Sequence, residues 1–130
     1  MEISSLRYAD AVVVSVAGRI DFASAGQLEQ ALAPLLQKSA DGPGAIVVDF
    51  AGVPYISSPG LRVLMVAAKA ARARQAAFGV AALEPFVHEI FRIAQLDELF
   101  ELFPSVREAL QSLSGPGLAA YERAAKSRSA

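Results

Sequence analysis

Two adjacent serines, Ser57 and Ser58, precede a proline, a glycine and a long apolar stretch, and this spacing predicts a loop that leads into a helix. Ser58 is expected to be the N-cap, and Pro59 to occupy the first helical position, where its missing N–H costs nothing. A hydroxyl at this place faces the positive end of the helix dipole, which favours a phosphate group. The loop is therefore a candidate phosphorylation site, although the same residues also suffice for an ordinary helix cap.

Two carboxylates stand where predicted strands end. Asp49 comes just before the serine loop, and it is expected either to shape a phosphoacceptor site or to accept backbone N–H groups in the turn. Asp21 closes the short loop Gly18–Asp21 and is expected to cap the helix that follows. Each carboxylate therefore has a local structural role open to it besides a functional one.

Catalytic and metal-binding patterns are sparse. The chain has one histidine, His88, and no cysteine. The histidine is expected to be a solvated side chain on the outer side of its helix, with a general base as the alternative reading. One histidine without cysteine is a poor basis for a metal site, and Ser58 lacks the Gly-x-Ser-x-Gly turn of hydrolases. We therefore expect no enzyme activity, no catalytic residue, no metal and no cofactor.

Composition limits the classes of partner. The 130 residues are 54% hydrophobic, with 12 basic and 13 acidic side chains and a net charge of −1, which is typical of one globular domain. Without a basic excess, nucleic-acid binding is not expected. The first residues do not resemble a signal peptide, and Arg62 and Lys69 interrupt the most apolar helix, so no membrane association is expected. The absence of cysteine fits a reducing cytoplasm.

Apolar runs and helical stripes alternate along the chain. Strands are predicted at 3–8, 11–17, 45–50, 77–82 and 100–103, and helices at 24–37, 58–74, 85–95 and 105–113. This order predicts a mixed sheet that is parallel in its centre, with helices packed on it. In the third helix, the residues expected to face inward are Phe86, Ile90, Ile93 and Ala94. In the second helix, the basic residues Arg62, Lys69 and Arg72 are expected on the outer face, either solvated or at a docking site.

Four motifs resemble, in their sequence and in their order along the chain, those of the STAS domain. This is the family of bacterial anti-sigma factor antagonists and of sulfate-transporter tails. The longest motif is 49–64, and the others are Gly18–Asp21, 80–87 and 93–100. The resemblance extends over nearly all of residues 3–113, with only the C-terminal tail outside it. The resemblance implies a STAS-like α/β fold, a mixed sheet of four to five strands with about four helices packed mainly on one face. It also implies a STAS domain at 1–113 and a C-terminal extension at 114–130, either a helix or a flexible tail.

The resemblance implies a regulatory function. Antagonists of this family bind an anti-sigma factor that is an ATP-dependent serine kinase, which phosphorylates a serine at the start of the second helix, and a PP2C-type phosphatase resets the switch. We therefore expect a cytoplasmic, bacterial binding protein. The residues expected to contact the partner are Gly18, Arg19, Asp21, Ser57, Ser58, Pro59, Gly60, Arg62 and Lys69.

One departure from the family pattern affects the phosphorylation site. The family loop is Asp-Ser-Ser-Gly, with the phosphate on the serine before glycine, and here Pro59 stands at that position and Ser57 at the Asp position. Ser58 is therefore the phosphorylation candidate, followed by Ser57. The alternatives are an unphosphorylated scaffold or oligomerisation module, such as a homodimer, and a sensor that binds a nucleotide or lipid.

Overall fold

The structure, a computed structural model, describes residues 1–37 and 42–129. Within these residues the chain forms five strands and five helices. Their order and bounds are β1 (Glu2–Tyr8), β2 (Ala11–Ala17), α1 (Ala25–Leu36), β3 (Ala45–Gly52), α2 (Ser58–Ala73), β4 (Ala77–Ala81), α3 (Pro85–Ile93), β5 (Glu101–Phe103), α4 (Val106–Leu113) and α5 (Gly115–Ser129).

The five strands form one sheet in the order β1-β2-β3-β4-β5. The hairpin strands β1 and β2 are antiparallel, and each later strand runs parallel to its neighbour. The residues Ala45–Val48 of β3 are fully buried, as expected for a central parallel strand covered on both faces. The prediction of a mixed sheet that is parallel in its centre is confirmed.

The first face of the sheet carries the larger core. Alternate side chains of β2 and β3, such as Val14, Val48 and Phe50, point to this face, where they meet the apolar stripes of α1, α2 and α3. Leu28 and Leu32 of α1 and Leu64 of α2 are completely buried there. These three crossover helices place their N-termini at the edge of the sheet where β2, β3 and β4 end.

The second face is covered by α4 and α5. Val13 and Val47 point to this side and pack with Val106 and Leu110 of α4. The ring of Tyr121 on α5 meets the ring of Tyr8 edge to face, with centroids 5.3 Å apart. The expected α/β fold is confirmed. About four helices mainly on one face were expected, whereas three helices pack on the first face and two on the second, and the fifth of them, α5, is the helical alternative expected for residues 114–130. The division into a domain at 1–113 and an extension at 114–130 stays a prediction.

The prediction of which side of α3 faces the core was wrong. Val87 and Phe91 are fully buried and Ile90 is partly buried, whereas Phe86 is 62% exposed and Ile93 is 70% exposed. Ala94, also expected inside, is exposed. The nine residues of α3 carry apolar side chains at adjacent positions, so two overlapping stripes compete, and the contact of Phe91 with Phe50 and Phe100 selects the one that contains Phe91. The helix therefore shows apolar side chains to solvent at both of its ends.

Candidate functional site

The loops that follow β2 and β3 are joined by backbone hydrogen bonds. The N–H of Gly18 donates to the carbonyl oxygen of Gly52, the last residue of β3, at 2.8 Å. Beyond the strands, the N–H of Ile20 donates to the carbonyl oxygen of Tyr55 at 2.9 Å. The N–H of Ser57 returns a hydrogen bond of 2.8 Å to the carbonyl of Ile20, which completes a parallel bridge between Ile20 and Ile56. The Gly18–Asp21 loop and the serine loop are thus held side by side at the carboxyl edge of the parallel strands.

Gly60 allows the first turn of α2 to lie directly on this bridge. A Cβ atom at Gly60 would lie 2.7 Å from Cγ2 of Ile20 and 2.8 Å from Cγ1 of Ile56, closer than real Cβ contacts. Both isoleucines are buried, so neither side chain has room to move away. Gly60 itself is buried, and its place in the site is to permit close packing beneath the loops.

The structure gives the N-cap of α2 to Ser57 rather than to Ser58. Ser57 is the N-cap of α2, and its Oγ accepts the N–H of Gly60 at 3.4 Å. Ser58 is the first helical residue and Pro59 the second, so the prediction of Ser58 as N-cap was wrong. A proline fits either position, because the N–H groups of the first turn have no partner within the helix. Ser57 is half-buried, while Ser58 is exposed and its hydroxyl has no hydrogen-bond partner among the described residues.

Asp21 caps the turn that leads into α1. Its Oδ1 accepts the N–H of Ser24 at 2.9 Å, and the Ser24 hydroxyl accepts the N–H of Asp21 at 2.9 Å, a reciprocal capping box. The Ser24 hydroxyl also donates to Oδ1 of Asp21 at 3.0 Å. The backbone and side-chain hydrogen bonds from Ser24, aided by the charge of Arg19, lower the pKa of Asp21 from its ordinary value of 3.8. The exposed carboxylate is therefore charged at neutral pH, and its position on the loop is fixed.

Asp49 has the local role that the sequence allowed. Its Oδ1 accepts the N–H of Ala51 at 2.9 Å, inside the last residues of β3. The carboxylate thus stabilises the end of the strand from which the serine loop departs.

Arg19 is held by an aromatic ring of the neighbouring loop. Its guanidinium carbon lies 4.5 Å from the centroid of the Tyr55 ring, a cation–π contact. This contact adds a side-chain link to the backbone bridge and keeps a positive charge on the exposed edge.

The residues predicted to contact a partner differ in exposure. Those that are exposed are Arg19, Asp21, Ser58, Arg62 and Lys69, and those that are half-buried are Gly18, Ser57 and Pro59. Pro59 and Arg62 line a hollow of about 250 Å³ between α1 and α2. A second hollow of about 300 Å³, which shares Glu29, Val63 and Val66 with the first, extends it to Leu36. The serine loop thus adjoins a partly apolar groove between the two helices.

Two exposed aromatic residues at this edge were missed from the sequence. Phe22 follows Asp21 directly and is 85% exposed, and Phe86 lies in the first turn of α3 and is 62% exposed. Phe22 belongs to no helical stripe, which is the signal that could have marked it as exposed. Phe86 belongs to the one of two overlapping apolar stripes on α3 that faces solvent. No local signal in the sequence shows which of the two stripes is buried.

The other candidate groups are placed as surface residues. His88 is exposed on α3 beside Glu89, whose carboxylate pairs with Arg92. In the part of the chain that the structure describes, no group of three or more His, Cys, Asp or Glu side chains is arranged to hold a metal ion. None of the described helices is long and apolar enough to cross a membrane.

Comparisons with known proteins agree on one family. A model of the STAS domain matches residues 2–109. The anti-sigma-F factor antagonist RsfB of Mycobacterium tuberculosis is 34% identical over 104 residues, which are 79% of this chain and 81% of the relative. A solved anti-sigma factor antagonist from Mycobacterium paratuberculosis is 31% identical, with a TM-score of 0.77 over 86% of this chain and 92% of that chain. An anti-sigma-factor antagonist (STAS) domain protein of Planctomyces limnophilus, 20% identical with a TM-score of 0.76 over 86% of this chain and 97% of its own, shares the fold. Because the match extends over more than half of its length, this chain belongs to the STAS domain family.

Proposed function

We propose that this protein is an anti-sigma factor antagonist, a binding protein that docks an anti-sigma factor of the serine-kinase type and frees a sigma factor. The observation that carries the proposal is the similarity to RsfB of Mycobacterium tuberculosis, named an anti-sigma-F factor antagonist, over 79% of the chain. The role is regulatory rather than catalytic. It places the protein in the cytoplasm, where such a kinase has access to ATP.

The proposed docking surface is formed by the Gly18–Asp21 loop, the Ser57–Ser58 loop and the exposed side of α2 that carries Arg62 and Lys69. Two hydrogen bonds between the two loops, from Ile20 and Ser57, and a third from Gly18 to the end of β3 support this choice because they hold the surface rigid before a partner arrives. A preformed surface loses little conformational entropy when it binds. The charges on it have both signs, as a specific protein partner requires.

Ser58 is the proposed phosphoacceptor. Its hydroxyl is exposed and free of hydrogen bonds among the described residues, whereas the Ser57 hydroxyl is half-buried and caps α2. Pro59, at the position the family phosphorylates, has no hydroxyl. A phosphate would bring about two negative charges to a docking surface, where desolvation and repulsion disrupt binding. A PP2C-type phosphatase would then restore the binding form.

The test uses each serine-kinase anti-sigma factor encoded in the source genome, purified and mixed with this protein. Binding is measured without ATP, and intact mass is measured after incubation with Mg²⁺ and ATP. We expect one kinase to bind the wild type and to add a single phosphate that Ser58→Ala abolishes and Ser57→Ala does not. Ser58→Asp is expected to weaken binding by at least tenfold.

Ser112→Asp is the matched control, because it adds the same charge to an exposed serine on α4, on the opposite face of the sheet. If Ser58→Asp binds as tightly as Ser112→Asp, the phosphorylation switch is excluded. Tight binding without any phosphate adduct would favour the unmodified scaffold instead. A wild type that binds none of the kinases, but forms a homodimer or is stabilised by nucleotides, would exclude the antagonist function itself.

A further inference from the structure

Two phenylalanines, one on a loop and one in the first turn of a helix, stand out among the exposed side chains at the edge where β2, β3 and β4 end. Phe22 lies in the connection from β2 to α1, and Phe86 lies at the start of α3, after β4. They are 85% and 62% exposed. A buried phenylalanine removes about 150–250 Å² of surface from water, so two such rings left in solvent represent a large unused apolar contact.

The topology places the serine loop between the two connections that carry the phenylalanines. The strands are adjacent in the order β2-β3-β4 and are parallel, so the connections that follow them leave the same edge in that order. The connection that carries Phe22 therefore leaves the sheet on one side of the serine loop, and the connection that leads to Phe86 leaves it on the other side.

Both rings project from fixed backbone. The turn that carries Phe22 is closed by the capping box of Asp21 and Ser24 and by the hydrogen bond of 3.1 Å from the N–H of Ala25 to the carbonyl of Asp21. Phe86 lies in the first turn of α3 between Pro85 and Val87, and the fully buried side chain of Val87 holds this turn on the core. An exposed aromatic side chain on rigid backbone is the kind of residue that dominates the binding energy of protein interfaces.

The charged residues on these connections favour a protein over an ionic ligand. Arg19 and Asp21 lie on the loop before Phe22, Arg62 lies near the start of α2 and Glu84 directly precedes α3, so the four exposed side chains carry two charges of each sign. This mixture resembles the polar rim of a protein interface around apolar anchors. The high exposure of both rings also means that neither lines an enclosed cavity for a small molecule.

We infer that Phe22 and Phe86 are apolar anchors that insert into the surface of the anti-sigma factor on either side of the serine loop. The inference rests on the proposed function and adds the chemistry of the partner, which must offer two apolar depressions that bracket the contact with Ser58. It also gives a reason for the sensitivity of the interface to phosphate, because the rings would hold the Ser58 hydroxyl against the partner in a desolvated place.

The test measures the affinity of Phe22→Ala and Phe86→Ala for the anti-sigma factor that binds the wild type. Each variant is expected to bind at least tenfold more weakly, with an unchanged unfolding temperature because the rings are exposed. Ile93→Ala is the control for Phe86, since Ile93 is 70% exposed two turns further along the same helix, about 10 Å away along the axis. Leu6→Ala, which alters a 57% exposed residue of β1, is the control for Phe22. Both controls should bind within threefold of wild type.

A second measurement does not depend on the loss of a side chain. The photo-crosslinking residue p-benzoylphenylalanine at position 22 or 86 should crosslink to the anti-sigma factor, and at position 6 or 93 it should not. If Phe22→Ala or Phe86→Ala binds with an affinity within threefold of wild type, the inference that both residues are anchors is wrong. The proposed antagonist function is not affected by that result. If the wild type itself binds no anti-sigma factor, the proposed function fails, and the inference fails with it.

Discussion

Ser57 and Ile20 are joined by a backbone hydrogen bond of 2.8 Å, although 37 positions separate them along the chain (57 − 20 = 37). The N–H of Ile20 in turn donates to the carbonyl oxygen of Tyr55 at 2.9 Å. These bonds lie beyond the regular pairing of β2 with β3, which becomes irregular after Ser15. The two loops therefore behave as one unit, and a disturbance under one of them is passed to the other.

Gly60→Ala is expected to disturb both loops. The new methyl group would lie 2.7 Å from Cγ2 of Ile20, and that buried side chain has no space to yield. Overpacking of this kind costs about 1–3 kcal/mol, more than the gain from replacing glycine near a helix terminus. Urea unfolding should show the loss of stability, and amide chemical shifts should move in residues 18–21 as well as in 55–60.

Gly26→Ala is the matched control for this substitution. Gly26 lies in the first turn of α1, and nothing lies within 4 Å of the position its Cβ would occupy. Its replacement should leave the protein equally stable or more stable, by at most about 1 kcal/mol. If Gly60→Ala and Gly26→Ala are equally stable, Gly60 does not pack closely against Ile20 and Ile56.

The two serines should differ in their contribution to stability. Ser57→Ala removes the N-cap of α2 and is expected to cost about 0.5–1 kcal/mol, the lower part of the usual range. The low value follows from the length of the hydrogen bond from Gly60, 3.4 Å. Ser58→Ala should change the free energy of unfolding by less than about 0.5 kcal/mol, as for a free surface hydroxyl. If urea unfolding shows a larger loss of stability than this for Ser58→Ala, then Ser58 is the N-cap of α2.

The pKa of Asp21 should depend on Ser24. The N–H of Ser24 is the first cause of the lowered pKa and its hydroxyl the second, so Ser24→Ala should raise the pKa only part of the way toward 3.8. Because the folded pKa lies below the unfolded value, the carboxylate stabilises the fold above pH ~3.8, and this contribution is lost as the pH falls through the folded pKa. An NMR titration of the Asp21 carboxyl carbon in both proteins measures the shift. Identical titration curves would exclude the capping box.

Ser114→Ala should loosen the attachment of α5. The buried Ser114 hydroxyl donates to the Asp10 carboxylate in the β1–β2 turn and accepts the N–H of the buried Gly117 at 2.9 Å. Its removal leaves the Gly117 N–H without a partner, which costs about 1–3 kcal/mol. Trypsin should then cut more rapidly at Arg123 and Lys126.

Ser112→Ala serves as the comparison, because Ser112 is exposed on the neighbouring helix α4. It should leave both stability and the cleavage rate unchanged. Equal cleavage of the two variants would mean that Ser114 does not hold α5 in place.

The strands and helices were predictable because local patterns determine them. The β-branched run of β2 and the apolar run Ala45–Val48 match strands whatever surrounds them. The helix α4 begins where Ser105 and Glu108 predict it, with the Ser105 hydroxyl accepting the N–H of Glu108 at 3.1 Å. The proximity of the two loops followed from the family resemblance, since their contact depends on strand order.

The predictions were wrong where the local sequence allows two arrangements and tertiary contacts decide between them. Ser57 and Ser58 can both cap a helix, and the bond from Ser57 to Ile20 selects the first. In α3 the sheet selects Val87 and Phe91, which leaves Phe86 in solvent. The exposed Phe22 was overlooked because a single apolar residue in a loop has no periodic pattern around it.

The meeting of Tyr8 with Tyr121 gives the protein a built-in optical probe. The chain has three tyrosines and no tryptophan, so its ultraviolet emission comes from tyrosine alone. Two of these rings touch where α5 covers the sheet, and the third lies under Arg19 at the opposite end of β3. The intrinsic fluorescence of the unlabelled protein will therefore respond both to the release of α5 from the sheet and to the binding of a protein partner beside Tyr55. The variant Tyr55→Phe separates the two signals, because it keeps only the rings of Tyr8 and Tyr121.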